Sequence, residues 1–138
     1  MIRIQPEPWA AMVSHAREAY PNECVGAMLG LIDGDSKSVV VAMPLENAFE
    51  GAQAERYELR PADLAAADRA ARERNMDLIG IYHSHPDCNA YFSPTDLRNS
   101  CPWYSFVVLS IQKGEFHHAN SWLPNFDQTE AAKEELIY

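Results

Sequence analysis

The sequence predicts an α/β fold in which helices flank a single mixed β-sheet. Apolar, β-branched runs that suit buried strands alternate with segments whose apolar residues recur at helical spacing. The length of 138 residues matches the usual size of one domain. Apolar residues make up 47% of the chain, which excludes a disordered protein and suffices for one substantial core. We therefore expect residues 1–138 to form one domain.

The first half of the chain is predicted to alternate between strands and helices. Residues 2–4 suit a short strand. Residues 8–20 place their apolar side chains on one helical face, and Pro21 ends that helix. The elements that follow are a buried strand at 23–31 turning at 33–35, a β-branched strand at 38–43, a polar loop at 48–55, an extended segment at 56–59, and an alanine-rich helix from Pro61 to about residue 75.

The second half is predicted to add three strands and a short helix. The apolar run 78–82 begins a strand that Pro86 ends, because proline lacks the N–H that a ladder needs. Ser93 suits the N-cap of a short helix and Pro94 its first position. The chain then continues with a strand at 105–112, a turn at 113–114 and a partner strand at 115–123.

The tail, residues 124–138, fits two structures. Asp127 suits the N-cap of a helix over residues 129–136, with acidic residues in its early turn. An extended segment that packs through its apolar end is the alternative. The sequence leaves both open.

The charge of the chain argues against nucleic acid as its main partner. The net charge is −9, and no stripe of Lys and Arg is present to bind phosphates. Arg69, Arg72 and Arg74 lie close together, but Asp68 and Glu73 share the same helix surface. Mixed charges of this kind indicate a solvated helix face.

The sequence predicts a cytoplasmic protein. No apolar run approaches the length of a membrane span, and residues 1–6 lack the apolar stretch of a signal peptide. Cys24, Cys88 and Cys101 form an odd set without close pairing, which suits a reducing compartment. We expect neither a membrane nor a nucleic-acid partner, and the oligomeric state stays open.

The most informative motif is His83-Ser84-His85-Pro86, which residues 87–95 separate from Asp96. Two histidines at i and i+2 share one face only in an extended strand. Asp96 falls in the first turn of the helix that Ser93 caps, where its side chain can turn back toward the strand end. Two imidazoles and one carboxylate suit a divalent metal, zinc by preference. Three protein ligands leave a fourth position for water, which is typical of a catalytic site.

Together with Glu23, these residues resemble the JAMM (MPN-type) metallopeptidase family. Its pattern is an early glutamate, then H-S/T-H-P, loop residues and S-x-x-D, and the resemblance runs from the first helix to about Leu123. It implies a twisted sheet of cytidine-deaminase-like architecture with the metal at one edge. It also implies one Zn²⁺ per chain, held by His83, His85 and Asp96.

The resemblance assigns catalytic roles to Glu23 and Ser93. A carboxylate near the metal but not bound to it suits proton transfer from water to the leaving amine. Without the motif, Glu23 would be read as a junction residue that faces solvent. Ser93 has two compatible roles, because a hydroxyl can both cap the helix and donate to the oxyanion of the tetrahedral intermediate.

The family cleaves amide bonds that follow the Gly-Gly tail of ubiquitin-like proteins. Residues 97–102 leave no room for the insertion that grips ubiquitin chains, so the chain resembles compact stand-alone prokaryotic members. The predicted substrate is a ubiquitin-like sulfur-carrier protein. The alternatives are a deubiquitinase-like isopeptidase acting on a protein conjugate and a non-catalytic MPN scaffold. A zinc deaminase is excluded because the P-C-x-x-C ligand motif is missing.

Other polar residues are given structural roles. Ser84 faces away from the two ligand histidines. His117-His118 lies in a strand and is expected to place its rings on opposite faces. His15 is predicted to lie on the surface. Cys88 is read as a loop residue, with interference of its thiolate at the metal as the alternative. Asn47 follows a strand and can reach the cleft, without an assigned role.

Overall fold

A computed structural model describes all residues, Met1–Tyr138, as three helices around an eight-stranded sheet. This confirms the predicted mixed sheet with flanking helices. The strand order across the sheet is β7-β6-β5-β4-β2-β3-β1-β8. In chain order the elements are β1 (Ile2–Ile4), α1 (Pro6–Ala19), β2 (Val25–Asp33), β3 (Ser36–Leu45), α2 (Pro61–Glu73), β4 (Asp77–Pro86), α3 (Pro94–Arg98), β5 (Ser105–Gln112), β6 (Glu115–Pro124), β7 (Ala131–Glu134) and β8 (Leu136–Ile137).

Strand β4 lies in the middle of the sheet and carries the two motif histidines. It pairs with β2 antiparallel and with β5 parallel. Its residues are buried from Leu78 to His85 because both faces of the strand are covered by other parts of the chain. Proline 86 ends the strand as predicted.

Each face of the sheet packs against one helix. Met12 and Ala16 of α1 join one buried cluster, and the alanines of α2 join the other. The register between β2 and β4 shifts between Met28 and Leu29, so the alternation of β4 side chains is offset across this bulge. Beyond the bulge, Tyr82 packs on the α1 side, whereas His83 contacts Tyr57 of the α2-side cluster.

The tail takes the extended alternative, and a helix over residues 129–136 is wrong. Strand β7 pairs with β6, and β8 pairs with β1 at the other end of the strand order. Only Glu135 separates these two strands, so the two edges of the sheet lie close together. The buried carboxylate of Glu134 accepts hydrogen bonds from Ser105 at 2.8 Å, Ser121 at 3.0 Å and Lys37 at 3.1 Å, which links β3, β5 and β6.

Several predicted boundaries shift. Helix α1 begins at Pro6, earlier than predicted, and β2 begins at Val25, which leaves Glu23 outside the strand. Residues 56–59 form no strand. None of the three helices has the length and apolarity that crossing a membrane requires.

Candidate metal centre

The two motif histidines share one face of β4, as their spacing predicts. His83 is 0% exposed and His85 is 4% exposed. Their Nε2 atoms lie 3.3 Å apart. Ser84 points to the opposite face, where its hydroxyl accepts a hydrogen bond from the N–H of Cys24 at 2.8 Å. The predicted structural role of Ser84 is confirmed, because this bond joins β4 to the segment that enters β2.

The start of α3 brings Asp96 to the histidines. Ser93 and Asp96 form a capping box, in which the Ser93 hydroxyl accepts from the N–H of Asp96 and Asp96 Oδ2 accepts from the N–H of Ser93, both at 3.0 Å. The same Oδ2 lies 3.1 Å from Nε2 of His85 and 3.3 Å from Nε2 of His83. Helix capping therefore fixes the direction of the carboxylate toward the strand end.

The three donor atoms form a triangle of the size that a tetrahedral zinc ion requires. Bonds of about 2.0–2.1 Å at tetrahedral angles put neighbouring ligand atoms about 3.3–3.4 Å apart. The observed separations are 3.3, 3.1 and 3.3 Å. Two imidazole nitrogens and a carboxylate oxygen are also the donor types that such an ion prefers. These residues thus fit a divalent metal ion in both chemistry and size.

Burial and neighbouring charges shift the pKa values of the three candidate ligands. Burial opposes ionisation of Asp96, but the two histidines outweigh it and hold the pKa of that carboxyl below its usual range. Burial lowers the pKa of His83. For His85, burial acts in the same direction, but the hydrogen bond and charge of Asp96 prevail and raise its pKa. Because a metal ligand must be deprotonated, a metal ion that binds here competes with a proton for Nε2 of His85.

A backbone carbonyl orients the ring of His85. Its Nδ1 lies 3.0 Å from the carbonyl oxygen of Asn89, so Nδ1 donates and Nε2 is left free to bind a metal. His83 has no such partner, because its Nδ1 is buried without a hydrogen bond. Its ring instead packs against Tyr57, with 4.6 Å between the ring centroids.

Glu23 lies beside the donor triangle and not in solvent. It is 6% exposed, and a carboxylate oxygen lies within 4.8 Å of ligand atoms of both His83 and His85. The alternative of a solvent-facing junction residue is therefore wrong. Burial, with a smaller contribution from Asp96 that the charge of His85 opposes, raises the pKa of Glu23 to about 8. Burial thus brings the protonation equilibrium of this carboxyl, in the absence of a metal ion, close to neutral pH.

The backbone of Glu23 is held by a loop whose role the sequence does not reveal. Its N–H donates to the carbonyl of Gln53 at 2.7 Å, and its carbonyl accepts from Nδ2 of Asn47 at 3.1 Å. Asn47 also donates to the carbonyl of Arg56 and accepts from two further N–H groups. The side-chain amide of Asn47 thus organises the loop that follows β3 and ties it to the backbone of Glu23. The only sequence signal for Asn47 was its position after a strand.

Two predictions about other histidines are wrong. His15 is half-buried, and its Nδ1 lies 2.8 Å from the hydroxyl of Tyr82. The rings of His117 and His118 do not diverge, because their Nδ1 atoms are 2.7 Å apart. The register between β5 and β6 shifts at this point, which leaves His117 unpaired in a bulge and turns it toward its neighbour.

Cys88 is a half-buried loop residue, as predicted. All three cysteines are free. Burial, then the charges of Glu23, Asp87 and Asp96, raise the pKa of the Cys88 thiol. The thiol therefore stays protonated at neutral pH, which disfavours the alternative of a thiolate that competes for the metal.

The chain is similar to proteins of one family. Residues 6–124 match the family described as prokaryotic homologues of the JAB domain. A desampylase from Haloferax volcanii is 33% identical over 116 residues, which cover 81% of this chain and 81% of that protein. A CysO-cysteine peptidase from Mycobacterium tuberculosis is 29% identical over 113 residues, 81% of this chain and 75% of that protein.

A solved structure agrees with the fold. The solution structure of a protein from Desulfitobacterium hafniense superposes with a TM-score of 0.86 at 29% identity, and the match covers 99% of this chain and 92% of that one. The matched family spans the helix, strands and loops that build the donor triangle. The chain therefore belongs to the prokaryotic JAB branch of the JAMM (MPN-type) family, and it is a metallopeptidase.

Proposed function

We propose that residues 1–138 form one domain that binds one Zn²⁺ through His83, His85 and Asp96. The proposed reaction is hydrolysis of the amide bond that follows the C-terminal Gly-Gly tail of a ubiquitin-like sulfur-carrier protein. The observation that carries this proposal is the 3.1–3.3 Å triangle of donor atoms beside a buried carboxylate of raised pKa. The similarity to a desampylase and to a CysO-cysteine peptidase supports it.

In this proposal the chain supplies proton transfer through Glu23. Bound zinc lowers the pKa of a water molecule from 15.7 to about 7. Glu23 takes the proton that water loses and passes it to the nitrogen of the leaving amine. Without a metal ion the pKa of Glu23 is about 8, and the positive charge of a bound cation would lower it, so that the carboxylate could accept this proton at neutral pH.

Ser93 supplies a donor for the oxyanion that develops on the scissile carbonyl. Its hydroxyl oxygen already accepts from the N–H of Asp96. A hydroxyl can donate its own hydrogen while it accepts this bond, so capping the helix leaves Ser93 able to donate to a substrate. One such donor typically contributes about a hundredfold to a thousandfold in turnover.

The burial of the donor triangle supports a glycine tail as substrate. His83 and His85 are 0% and 4% exposed, so a side chain at the cleaved carbonyl would obstruct the approach. Glycine has no side chain and lets the backbone come close. Helix α3 ends at Arg98 and β5 begins at Ser105, so no inserted segment covers this side of the site.

The second candidate is an isopeptidase that acts on a carrier–lysine conjugate, which the similarity to a desampylase favours. A scaffold without catalysis is disfavoured, because the donor triangle and Glu23 are both in place. Free cysteines support a reducing location, and we propose that the protein acts in the cytoplasm. The proposal includes no nucleic-acid or membrane partner.

The proposal is tested with two substrates and a chelator. The zinc-loaded protein is incubated with a carrier extended beyond Gly-Gly and, separately, with a carrier–lysine conjugate. We expect chelator-sensitive cleavage of the linear extension, and preference for the conjugate would select the isopeptidase. Metal-independent cleavage, or no cleavage of either substrate, would count against both.

The role of Glu23 is tested by Glu23→Gln, which removes the proton acceptor but preserves the shape of the side chain. We expect turnover to fall by about a hundredfold to ten-thousandfold while zinc remains bound. Glu18→Gln, an exposed change on α1, is the matched control. Full activity of Glu23→Gln would remove this residue from the mechanism.

A further inference from the structure

Three side chains of β6 hold a single residue of the loop between the metal-site histidines and α3. His118, Asn120 and Trp122 occupy alternate positions, so they lie on the same face of the strand. The N–H of Ala90 donates to Nε2 of His118 at 3.0 Å. The carbonyl of Ala90 accepts from Nδ2 of Asn120 and from Nε1 of Trp122, each at 3.0 Å. We call these three side chains the β6 clasp.

The clasp acts on the peptide group that orients His85. The carbonyl of Asn89 and the N–H of Ala90 belong to one planar peptide unit. Nδ1 of His85 donates to that carbonyl, and Nε2 of His118 accepts from the N–H, which points in the opposite direction within the same plane. A rotation of the plane would break both bonds together. The direction of the Asn89 carbonyl is therefore set from β6.

Apart from the bond to His85, the other hydrogen bonds of this loop do not involve the peptide group between Asn89 and Ala90, so its orientation depends on the clasp. Asp87 accepts from the hydroxyl of Tyr20 at 2.7 Å and from the N–H of Lys113 at 2.8 Å, and Ser110 donates to the carbonyl of Cys88 at 2.6 Å. These contacts anchor only the start of the loop. The segment that follows has no helix or strand to satisfy its backbone, and Ala90 is 0% exposed.

His118 is held in the form that can accept a hydrogen bond. Its Nε2 receives the N–H of Ala90, so the proton of the neutral ring belongs on Nδ1, which lies 2.7 Å from Nδ1 of His117. Burial, then the neighbouring His117 and Lys133, lower the pKa of His118. A neutral His118 ring with its proton on Nδ1 can accept from the Ala90 N–H and donate to Nδ1 of His117 at the same time.

We propose that His118, Asn120 and Trp122 are positioning residues for His85, acting through the peptide group between Asn89 and Ala90. The inference rests on the proposed metal site. Loss of a partner that orients a metal ligand typically weakens metal binding by about 10- to 100-fold. The clasp acts through one intervening peptide group, so we expect the lower end, about a tenfold rise in the Kd for Zn²⁺.

The experiment separates orientation from stability. His118→Leu removes the acceptor for the Ala90 N–H, and His118→Gln restores one through its side-chain oxygen. Asn120→Ala combined with Trp122→Phe removes both donors to the Ala90 carbonyl while keeping an aromatic ring. The matched control combines Asn125→Ala with Trp103→Phe, because these residues make no contact with the loop.

Three quantities are measured for each protein. They are the Kd for Zn²⁺ by competition with a chromophoric chelator, the Tm of the metal-free protein, and hydrogen exchange of the Ala90 N–H without metal. We expect about tenfold weaker Zn²⁺ binding for His118→Leu and for the double variant, with recovery in His118→Gln. Exchange at Ala90 should be faster in His118→Leu, and the control should bind Zn²⁺ like the wild type.

The outcomes distinguish the clasp from the metal site. Unchanged Zn²⁺ affinity in His118→Leu and in the double variant would overturn the inference while leaving the proposed function intact. Equal weakening in the Asn125/Trp103 control would also overturn it, because the effect would then follow general stability. A wild-type protein that binds no Zn²⁺ would overturn the proposed metal site and the inference together. If His118→Leu does not fold, the single variants Asn120→Ala and Trp122→Phe decide by the same measurements, because each removes one donor to the Ala90 carbonyl.

Discussion

Substitutions of Ser93 can separate the stability of α3 from catalysis, because one hydroxyl is proposed to serve both. The hydroxyl accepts from the N–H of Asp96 at 3.0 Å. The reciprocal bond, from the N–H of Ser93 to Asp96 Oδ2, uses the backbone and is kept when Ser93 is replaced by Ala, Gly or Thr. Asp96 should therefore keep its direction toward the histidines, and zinc binding should change little.

The three informative variants differ in what they keep. Ser93→Ala removes the cap and should lower the free energy of unfolding by about 1 kcal/mol. Ser93→Gly should lower it by only about 0.3 kcal/mol, because glycine is itself tolerated at the N-cap. For a domain of this size 1 kcal/mol corresponds to about 3–5 °C in Tm. Both variants lack the oxyanion donor, so turnover should fall by about a hundredfold to a thousandfold in each. Ser93→Thr retains the hydroxyl and serves as the control.

The assay combines thermal unfolding of the metal-free proteins with single-turnover cleavage of the extended carrier by zinc-loaded proteins. The expected signature is equal loss of turnover in Ser93→Ala and Ser93→Gly despite unequal Tm. A Ser93→Gly protein that turns over within about threefold of wild type would refute the oxyanion role, because the expected loss is at least a hundredfold. A Ser93→Ala protein with the wild-type Tm would refute the cap.

Three further predictions concern the framework around the site. Gly80→Ala places a Cβ against the backbone carbonyl of Ser105, which cannot move aside, so urea denaturation should show a loss of at least about 1–3 kcal/mol or no folded protein at all. Glu134→Ala removes the acceptor that Ser105, Ser121 and Lys37 share, which leaves Lys37 and Ser105 only their bond to each other and Ser121 no partner. We expect a loss of about 3 kcal/mol; a loss below about 1 kcal/mol would show that the sheet edges do not depend on this carboxylate. Burial lowers the pKa of His15, against a smaller opposing effect of Glu18, so the unfolded chain takes up the proton first and stability falls as the pH drops below 6.5. The stability of the wild type relative to His15→Gln should therefore decrease from about pH 7.5 to pH 5.5, and a constant difference would contradict this sign.

The centre of the site could be predicted because its geometry is local. Alternation along a strand puts His83 and His85 on one face whatever lies around them. A serine before a proline, with an aspartate at the third helical position, is a capping box that fixes Asp96 within four residues of chain. The family pattern was needed only for the expectation that the end of β4 and the start of α3 lie side by side.

The burial of Glu23 and its support were decided by the tertiary structure. A glutamate between a helix and a strand has no local reason to be buried, and its raised pKa arises from surroundings that lie far along the chain. The bonds from Asn47 and Gln53 that hold its backbone likewise join segments with no shared periodicity. The role proposed for Glu23 therefore follows from the resemblance to the family and not from local spacing or capping.

Local patterns predicted the main strands and helices and pointed to His83, His85 and Asp96 as candidate ligands, since spacing, capping and proline act within a few neighbouring residues. The bulges, the pairing of the tail with both sheet edges and the contact between β6 and Ala90 could not be predicted from local patterns. A bulge at His117 or a strand at Ala131–Glu134 depends on hydrogen bonds to partners elsewhere in the chain. The free energy that selects them is therefore absent from any local window of residues.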